Sequence, residues 1–282
     1  MSISSAAMLV ELNISVWTAM RTDKSATDKV LADTNAASNA AQVRKNLMAG
    51  TTLRKELNDF AASCRLWHNL KTMPWSDRGP RLLPSSTFFA YKTEMNDRER
   101  YFMQQRDTFL NAYPLLVQDA ALYLGSMYDP NDYPSTDEVA SKFAFRVVFS
   151  PIPDSGDFRL DLPAQELEDM RLQYDTAYNE RVADAMREPW DRLHKMLTSM
   201  VEKLKDGDSE TKKRWHDSFI GNARDMVDML KHMNITGDQA LEDARVRLAQ
   251  AIHGVDIEDV KEHTAVREDM SRKLTAILNN SW

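Results

Sequence analysis

The chain has 282 residues, of which 43% are apolar, and its formal net charge is −7. This length and composition can bury a substantial core in one large domain or two small ones. No window approaches the roughly 18 consecutive apolar residues of a membrane span, which excludes a transmembrane helix.

The residue counts predict a mostly helical protein of a reducing compartment. Eight glycines and ten prolines are few for this length, whereas sixteen methionines are many, which favours long helices. The only cysteine, Cys64, lies in a helical pattern and cannot form an intrachain disulfide. The start of the chain lacks the basic region of a signal peptide, so we expect a cytoplasmic protein.

Charge is distributed unevenly along the chain. Residues 1–106 carry 15 Lys and Arg against 10 Asp and Glu, and the remainder carries 21 against 33. The first part is therefore +5 and the second −12. This asymmetry indicates either nucleic-acid contact by the basic part or complementary surfaces that meet head to tail in an oligomer; the alternative is unpatterned surface charge.

The first 91 residues predict one strand, two helices and a long loop. A β-branched run predicts a strand from Leu9 to Trp17. An Ala-rich helix follows from about Ser25 to Met48, and a second helix, capped by Thr52, runs to Met73. The stretch from Pro74 to Tyr91 contains three prolines and a glycine, so we expect an irregular loop.

The middle of the chain predicts a helix from Thr93 to Leu124, kinked near Pro114, and then a β-hairpin. Ser135 and Glu138 form a capping-box signature before the hairpin. The apolar side chains of the hairpin alternate with polar ones in both strands, at Phe143, Phe145, Val147 and Phe149 and then at Phe158, Leu160 and Leu162. Because two strands alone are marginal, we expect the Leu9 strand to complete a three-stranded sheet.

The remainder predicts an antiparallel helical bundle. Helices are expected at 209–233 and 238–252, the second with a capping box of Thr236 and Gln239, and a last helix runs from Asp256 to Leu278. The fold class is therefore α+β, predominantly α, with a mixed region at 1–163 and a bundle region at 164–282 in one integrated fold.

A heptad-like seam lies in the long helix after Pro163. Spacings of three and four residues are typical of helix pairing. The seam predicts either the core of the chain's own bundle or an oligomer interface. Its members are Met186, Trp190, Leu193, Leu197, Met200 and Leu204.

Basic and aromatic residues cluster around the predicted loop, and they are the best candidates for a binding site. Such a mixture can stack on bases and contact phosphates, or bind an acidic protein surface. The alternative is that the aromatic residues anchor the loop to the core while the arginines remain solvated. The predicted binding residues are Arg65, Lys71, Trp75, Arg78, Arg81 and Phe88, with Trp67, His68 and Tyr91 beside them.

Catalytic and metal-binding motifs are not found in the sequence. The six histidines are scattered, no glycine-rich phosphate loop exists, and no serine lies in a nucleophile-elbow pattern. Cys64 on an apolar helix face is expected to be a core residue. Turn chemistry explains the acidic loops around Asp129 and Asp157 better than a metal site does. We therefore expect no enzymatic activity and no cofactor.

Three segments carry a family resemblance: LVELNISVWTAMRTDK, MPWSDRGPRLLP and KFAFRVVFSPIPDSGDFRLDL. With them the chain resembles, over nearly its whole length, a family of uncharacterised bacteriophage proteins. Members share a domain of unknown function and are often encoded near a MoxR-like AAA+ ATPase or a von Willebrand-type domain protein. The resemblance implies a location in the cytoplasm of an infected bacterium and a non-enzymatic adaptor role, and it brings no catalytic residues.

The sequence thus predicts a protein that binds other proteins, as a homo-oligomer or as an adaptor of a larger assembly that includes an AAA+ ATPase. The alternative is a nucleic-acid-binding protein of phage replication, recombination or host takeover, although the acidic remainder argues against broad DNA wrapping. A third hypothesis is an enzyme built from loop carboxylates, which would need a metal between Asp129 and Asp157.

Overall fold

The computed structural model describes residues 3–76, 79–153, 163–205 and 218–280. The chain is an α+β protein that is mostly helical, as the sequence predicts. None of the helices in these ranges combines the length and apolar character that crossing a membrane requires. In chain order the elements are α1 (Ile3–Ala6), β1 (Ala7–Ser15), β2 (Met20–Thr22), α2 (Lys24–Thr34), β3 (Arg44–Asn46), α3 (Leu53–Lys71), β4 (Arg81–Pro84), α4 (Phe88–Leu124), α5 (Thr136–Ala140), β5 (Ala144–Ser150), α6 (Ala164–Lys205), α7 (Ser218–Met233), α8 (Gln239–Ile252), α9 (Ile257–Glu262) and α10 (Thr264–Asn280).

The predicted antiparallel sheet of three strands is confirmed, with the order β4-β1-β5. Strand β1 pairs with β4 from Ala7 opposite Pro84 to Val10 opposite Arg81. The prediction that residues 74–91 form only a loop is therefore wrong. Four residues are too few to show an alternating pattern, and Pro84 is tolerated because β4 lies at the edge of the sheet. The predicted strand at 158–162 lies outside the described residues.

Strand β5 shows the alternation that its sequence predicts. Phe143, just before the strand, and Phe145 are buried and Phe149 is half-buried, whereas Arg146 and Val148 are exposed. Phe143 packs on Phe109, with ring centroids 5.7 Å apart. The apolar side of this strand thus faces the interior.

The predicted helix from Ser25 to Met48 is too long, because α2 ends at Thr34. Asn35 takes the left-handed conformation, with φ of 52°, and its N–H bonds back to the Ala32 carbonyl. Asparagine tolerates this conformation and ends helices in the same way as glycine. Strand β3 then pairs with β2 in a second, two-stranded antiparallel sheet, from Met20 opposite Asn46 to Thr22 opposite Arg44.

The helix caps agree with the local sequence signals in one case and differ in another. The capping box of Ser135 and Glu138 is confirmed. The box predicted for Thr236 and Gln239 is wrong, because Asp238 caps α8 and accepts hydrogen bonds from the N–H groups of Ala240 and Leu241. The carboxylate of Asp238 lies directly at the first turn, where an acidic group also meets the helix dipole.

The predicted last helix consists of two helices, α9 and α10, separated at His263. The buried guanidinium of Arg267 donates to the carbonyls of Val260 and Lys261, at 3.1 and 3.0 Å. These carbonyls would otherwise accept bonds from the next turn of the same helix. The side chain of Arg267 therefore stabilises the break.

The chain packs as two compact units. Unit 1 comprises Met1–Glu11, Asn69–Tyr91 and Phe149–Trp282, and unit 2 comprises Leu12–His68 and Lys92–Val148. Unit 1 thus includes residues from both sides of the predicted boundary at Pro163. Its larger core is the helical bundle of α6, α7, α8 and α10. A core of unit 2 forms around Trp17, Phe109 and Tyr113.

Candidate functional site

The structure brings four of the six predicted binding residues into unit 1. They are Lys71, Trp75, Arg81 and Phe88. Arg65 belongs to unit 2, where its exposed side chain donates to the Ile14 carbonyl at 2.8 Å. Arg78 lies outside the described residues.

Two arginines cap the carboxyl end of α3 within unit 1. Arg192 of α6 donates to the carbonyls of Asn69, Leu70 and Thr72 at 2.7, 2.8 and 3.1 Å. Arg81 of β4 donates to the Thr72 hydroxyl at 2.7 Å and to the Thr72 carbonyl at 3.2 Å. The last carbonyls of a helix lack partners within the helix and carry the negative end of its dipole. Both guanidinium groups therefore satisfy and stabilise the end of α3.

The electrostatics of this arginine pair depend on Glu188. Its carboxylate accepts a hydrogen bond of 2.8 Å from Nε of Arg192, one helical turn away on α6. Burial lowers the pKa of the Arg81 guanidinium, Glu188 offsets part of this effect, and the like charge of Arg192 adds to it. A guanidinium stays protonated under such conditions. The cluster is thus a set of fixed charges, already paired inside the fold.

Trp75 is an internal residue of unit 1. Only 5% of it is exposed, and it belongs to a buried cluster with Met73 and Leu82. Its ring meets Tyr178 edge to face at a centroid distance of 5.6 Å, and the Arg181 guanidinium lies 6.0 Å from the ring centroid. These are aromatic and cation–π contacts that stabilise a packed ring. Trp75 therefore anchors the segment after α3 to α6.

A row of aromatic rings extends from the arginine pair to the surface of unit 1. Tyr91 is buried, and burial raises the pKa of its hydroxyl, an effect that Arg81 partly offsets. Its ring packs on Phe149 at 6.1 Å, Phe149 on Phe88 at 5.1 Å, and Phe88 on Phe89 at 5.3 Å. Phe89 is 81% exposed. The row therefore ends at Phe89, whose solvent-exposed ring packs on Phe88.

The sequence prediction missed the residues that complete this cluster. Arg192 is one of them, and 120 positions separate it from its acceptor Thr72. Phe149 and Tyr178 also come from distant segments of unit 1. The alternation of β5 signalled an apolar face at Phe149, but no sequence pattern connects it with Phe88.

The heptad-like seam of α6 lies in the core of the chain's own bundle. Leu193, Leu197, Met200 and Leu204 are buried there with residues of α7, α8 and α10, and Met186 and Trp190 pack against them. The indole N–H of Trp190 donates to Asp238 at 3.2 Å. The surface that the sequence offers for a second copy is thus covered by the same chain. An oligomer through this seam would require the bundle to open.

The acidic loop of unit 2 is engaged in a buried charge network. Lys45, which is 7% exposed, lies 2.5 Å from Asp132 and donates to the Met127 carbonyl at 2.6 Å. Arg21 pairs with the other oxygen of Asp132 at 2.7 Å. Asp129 accepts from the N–H of Asn131 and caps a short turn. Asp132 therefore holds the loop to the small sheet of β2 and β3, and Asp129 stabilises the turn within the loop.

The lone cysteine is also embedded in the fold. Cys64 is buried, and burial raises the pKa of its thiol, partly offset by Arg98. Within those ranges, no three or more His, Cys, Asp and Glu side chains come close enough to hold a metal ion. The candidate site is therefore the arginine pair of unit 1 and the row of aromatic rings that ends at the exposed Phe89.

Comparison of the chain with protein-family models, with curated proteins and with solved structures finds no match. The resemblance to the bacteriophage family therefore stays a prediction.

Proposed function

We propose that this chain acts by binding protein chains, its own copies among them, and that it has no catalytic role. One observation carries the proposal: the helices of the described residues present large apolar side chains to solvent. Phe89, Leu122 and Leu172 are 81%, 83% and 68% exposed. Phenylalanine is enriched in the cores of protein interfaces, so Phe89, whose exposed ring packs on Phe88, is the strongest candidate among the three.

The state of the predicted base-stacking and phosphate-binding groups supports proteins over nucleic acid as partners. Trp75 is buried, and Arg81 donates to the end of α3. A side chain that stacks on bases must be exposed, and an arginine that binds phosphate needs free donors. The nucleic-acid alternative rests on the basic charge of residues 1–106, which the experiment below tests directly.

The wider setting follows from the resemblance alone. It supports a role in the cytoplasm of an infected bacterium, as an adaptor of an assembly that contains an AAA+ ATPase. An adaptor needs surfaces for more than one chain, and exposed apolar residues on α4 and α6 meet that need.

The test is the mass of the purified full chain by light scattering, over a range of protein concentrations, at low and high salt, with and without a short single-stranded DNA. We expect a multimer whose mass is the same with and without the DNA. Serine substitutions at Phe89, Leu122 and Leu172, one at a time, then identify the residues that maintain it. A chain that is monomeric at every concentration, or that gains mass only with the DNA at low salt, contradicts the proposal.

A further inference from the structure

A basic groove opens between α8 and α10 in unit 1. Its volume is about 380 Å³, and its floor is apolar, made by Ala251, Ala276 and Ile277. Ala251 and Ile277 also belong to the buried core of the bundle, so the floor is fixed by packing. The groove is thus a preformed apolar depression on a helical surface.

The rim of the groove carries positive charge. Arg247 of α8 and Lys273 of α10 line it, and both are exposed. In the described part of the chain Arg247 makes no ion pair, and Lys273 shares the carboxylate of Asp269 with Arg272. The rim thus carries two cations, Arg247 and Lys273, in a half of the chain whose overall charge is negative.

The first half of α6 presents the opposite pattern. Leu172 is 68% exposed, and Glu168, Asp169 and Asp175 lie one helical turn before or after it. Residues three or four positions apart share a helix face, so these carboxylates surround the leucine. Glu168 makes a 3.7 Å pair with Arg171, whereas Asp169 and Asp175 make no ion pair within the described ranges.

The opposite side of the same helix segment is fixed within unit 1. The Tyr174 hydroxyl donates to the Pro153 carbonyl at 2.8 Å, and Tyr178 packs on Trp75. These contacts hold this stretch of α6 with Leu172 facing outwards. Leu172 and its carboxylates, which we term the acidic knob, are therefore a preformed surface feature.

We propose that the acidic knob of one copy docks into the groove between α8 and α10 of a second copy. The inference rests on the proposed function, that the chain binds its own copies. The two surfaces match in shape, an apolar projection against an apolar depression, and in charge, a carboxylate ring against a basic rim. Both surfaces lie in unit 1 and both are exposed, so each copy carries one knob and one groove. A second copy therefore supplies the matching partner for either surface.

The contact joins two different surfaces and is heterologous. Every copy that docks its knob still offers a free groove, so association continues until a ring closes or a filament grows. We expect the mass to rise with protein concentration and to fall with salt, because opposite charges guide the contact and salt screens them.

The test uses two full-chain variants that keep one surface each. The knob variant carries Asp169→Lys and Asp175→Lys, and the groove variant carries Arg247→Glu and Lys273→Glu. Because like charges then face each other, each variant alone should need roughly 100-fold more protein to associate. The control, Lys55→Glu with Arg100→Glu, makes the same charge change as the groove variant at two exposed positions of unit 2 and should keep the wild-type mass.

Mixing the variants separates this contact from any other. The knob variant retains a native groove and the groove variant a native knob, and the two altered surfaces again carry opposite charges, so an equimolar mixture should recover association. A chain with all four substitutions has both charges reversed and should associate again. Wild-type mass in either single variant, or a mixture that stays monomeric, overturns the inference. If the wild type and both variants are multimeric, the contact between knob and groove is wrong but the proposed function stands. If the wild type is monomeric, both the contact and the proposed function are wrong.

Discussion

Two tyrosine hydroxyls of unit 2 donate to backbone carbonyls, and this couples their ionisation to folding. Tyr113 donates to Pro134 at 2.9 Å and Tyr133 to Leu47 at 3.1 Å. Burial raises the pKa of each hydroxyl from 10.0 to about 12, and nearby acidic groups add to the effect. The folded state therefore holds these two protons more tightly than the unfolded state does.

Alkaline pH should destabilise unit 2 in a defined window. The contribution of both hydroxyls is complete below pH 10, the ordinary pKa, and is lost as the pH rises towards 12. We expect tyrosinate absorbance to rise in two stages, the later one together with loss of the helical circular dichroism signal. Tyr133→Phe should shrink the later stage. Ionisation of all tyrosines near pH 10 with the helical signal intact would contradict this.

At the scale of elements, Arg192 links α6 to the end of α3 within unit 1. Its side chain is 15% exposed and reaches three carbonyls and Glu188. Arg192→Met should lower the free energy of unfolding by about 2–4 kcal/mol, because the carbonyls and the carboxylate lose a charged donor in a partly buried place. Urea unfolding followed by circular dichroism measures the change.

The matched control is Arg187→Met, also on α6, whose exposed side chain pairs with Asp184. A surface pair of this kind contributes about 0.5 kcal/mol or less. Arg192→Lys should recover under half of the loss, because an ammonium cannot make the parallel bonds of a guanidinium. Equal effects of the methionine variants at 187 and 192 would show that the contacts of Arg192 do not stabilise the fold.

The sequence predicted correctly those elements whose pattern involves residues only a few positions apart. The strand alternation before Phe149 and the capping box at Ser135 depend on residues within a few positions, and both are confirmed. Strand β4 was missed because four residues show no period, and the break at His263 because Arg267 binds the preceding carbonyls from the next helix. The candidate site was half predicted: Trp75, Arg81 and Phe88 were found, but Arg192 and Phe149 join them only through tertiary packing.

At the scale of the whole molecule, the predicted boundary at Pro163 cuts through a shared core. One buried cluster of unit 1 draws residues from all three of its segments, among them Leu9, Trp75 and Ala185. The larger bundle cluster, in contrast, takes all its members from α6 onwards. Hydrophobic periodicity identifies the seam of α6 as apolar, but it does not show that the helix around Ala185 is covered by segments before Pro163.

A fragment of residues 164–282 should therefore keep one core and lose the other. The bundle cluster stays complete, so amides of α8 around Leu248 should exchange with solvent as slowly as in the full chain. Around Ala185 the covering residues Leu9, Trp75 and Leu82 are gone, and amides of α6 there should exchange about tenfold faster or more. Hydrogen exchange followed by mass spectrometry gives both values in one experiment, with α8 as the internal reference. If Ala185 were as protected in the fragment as in the full chain, packing within the bundle alone would hold α6, and the segments before Pro163 would contribute nothing to its stability.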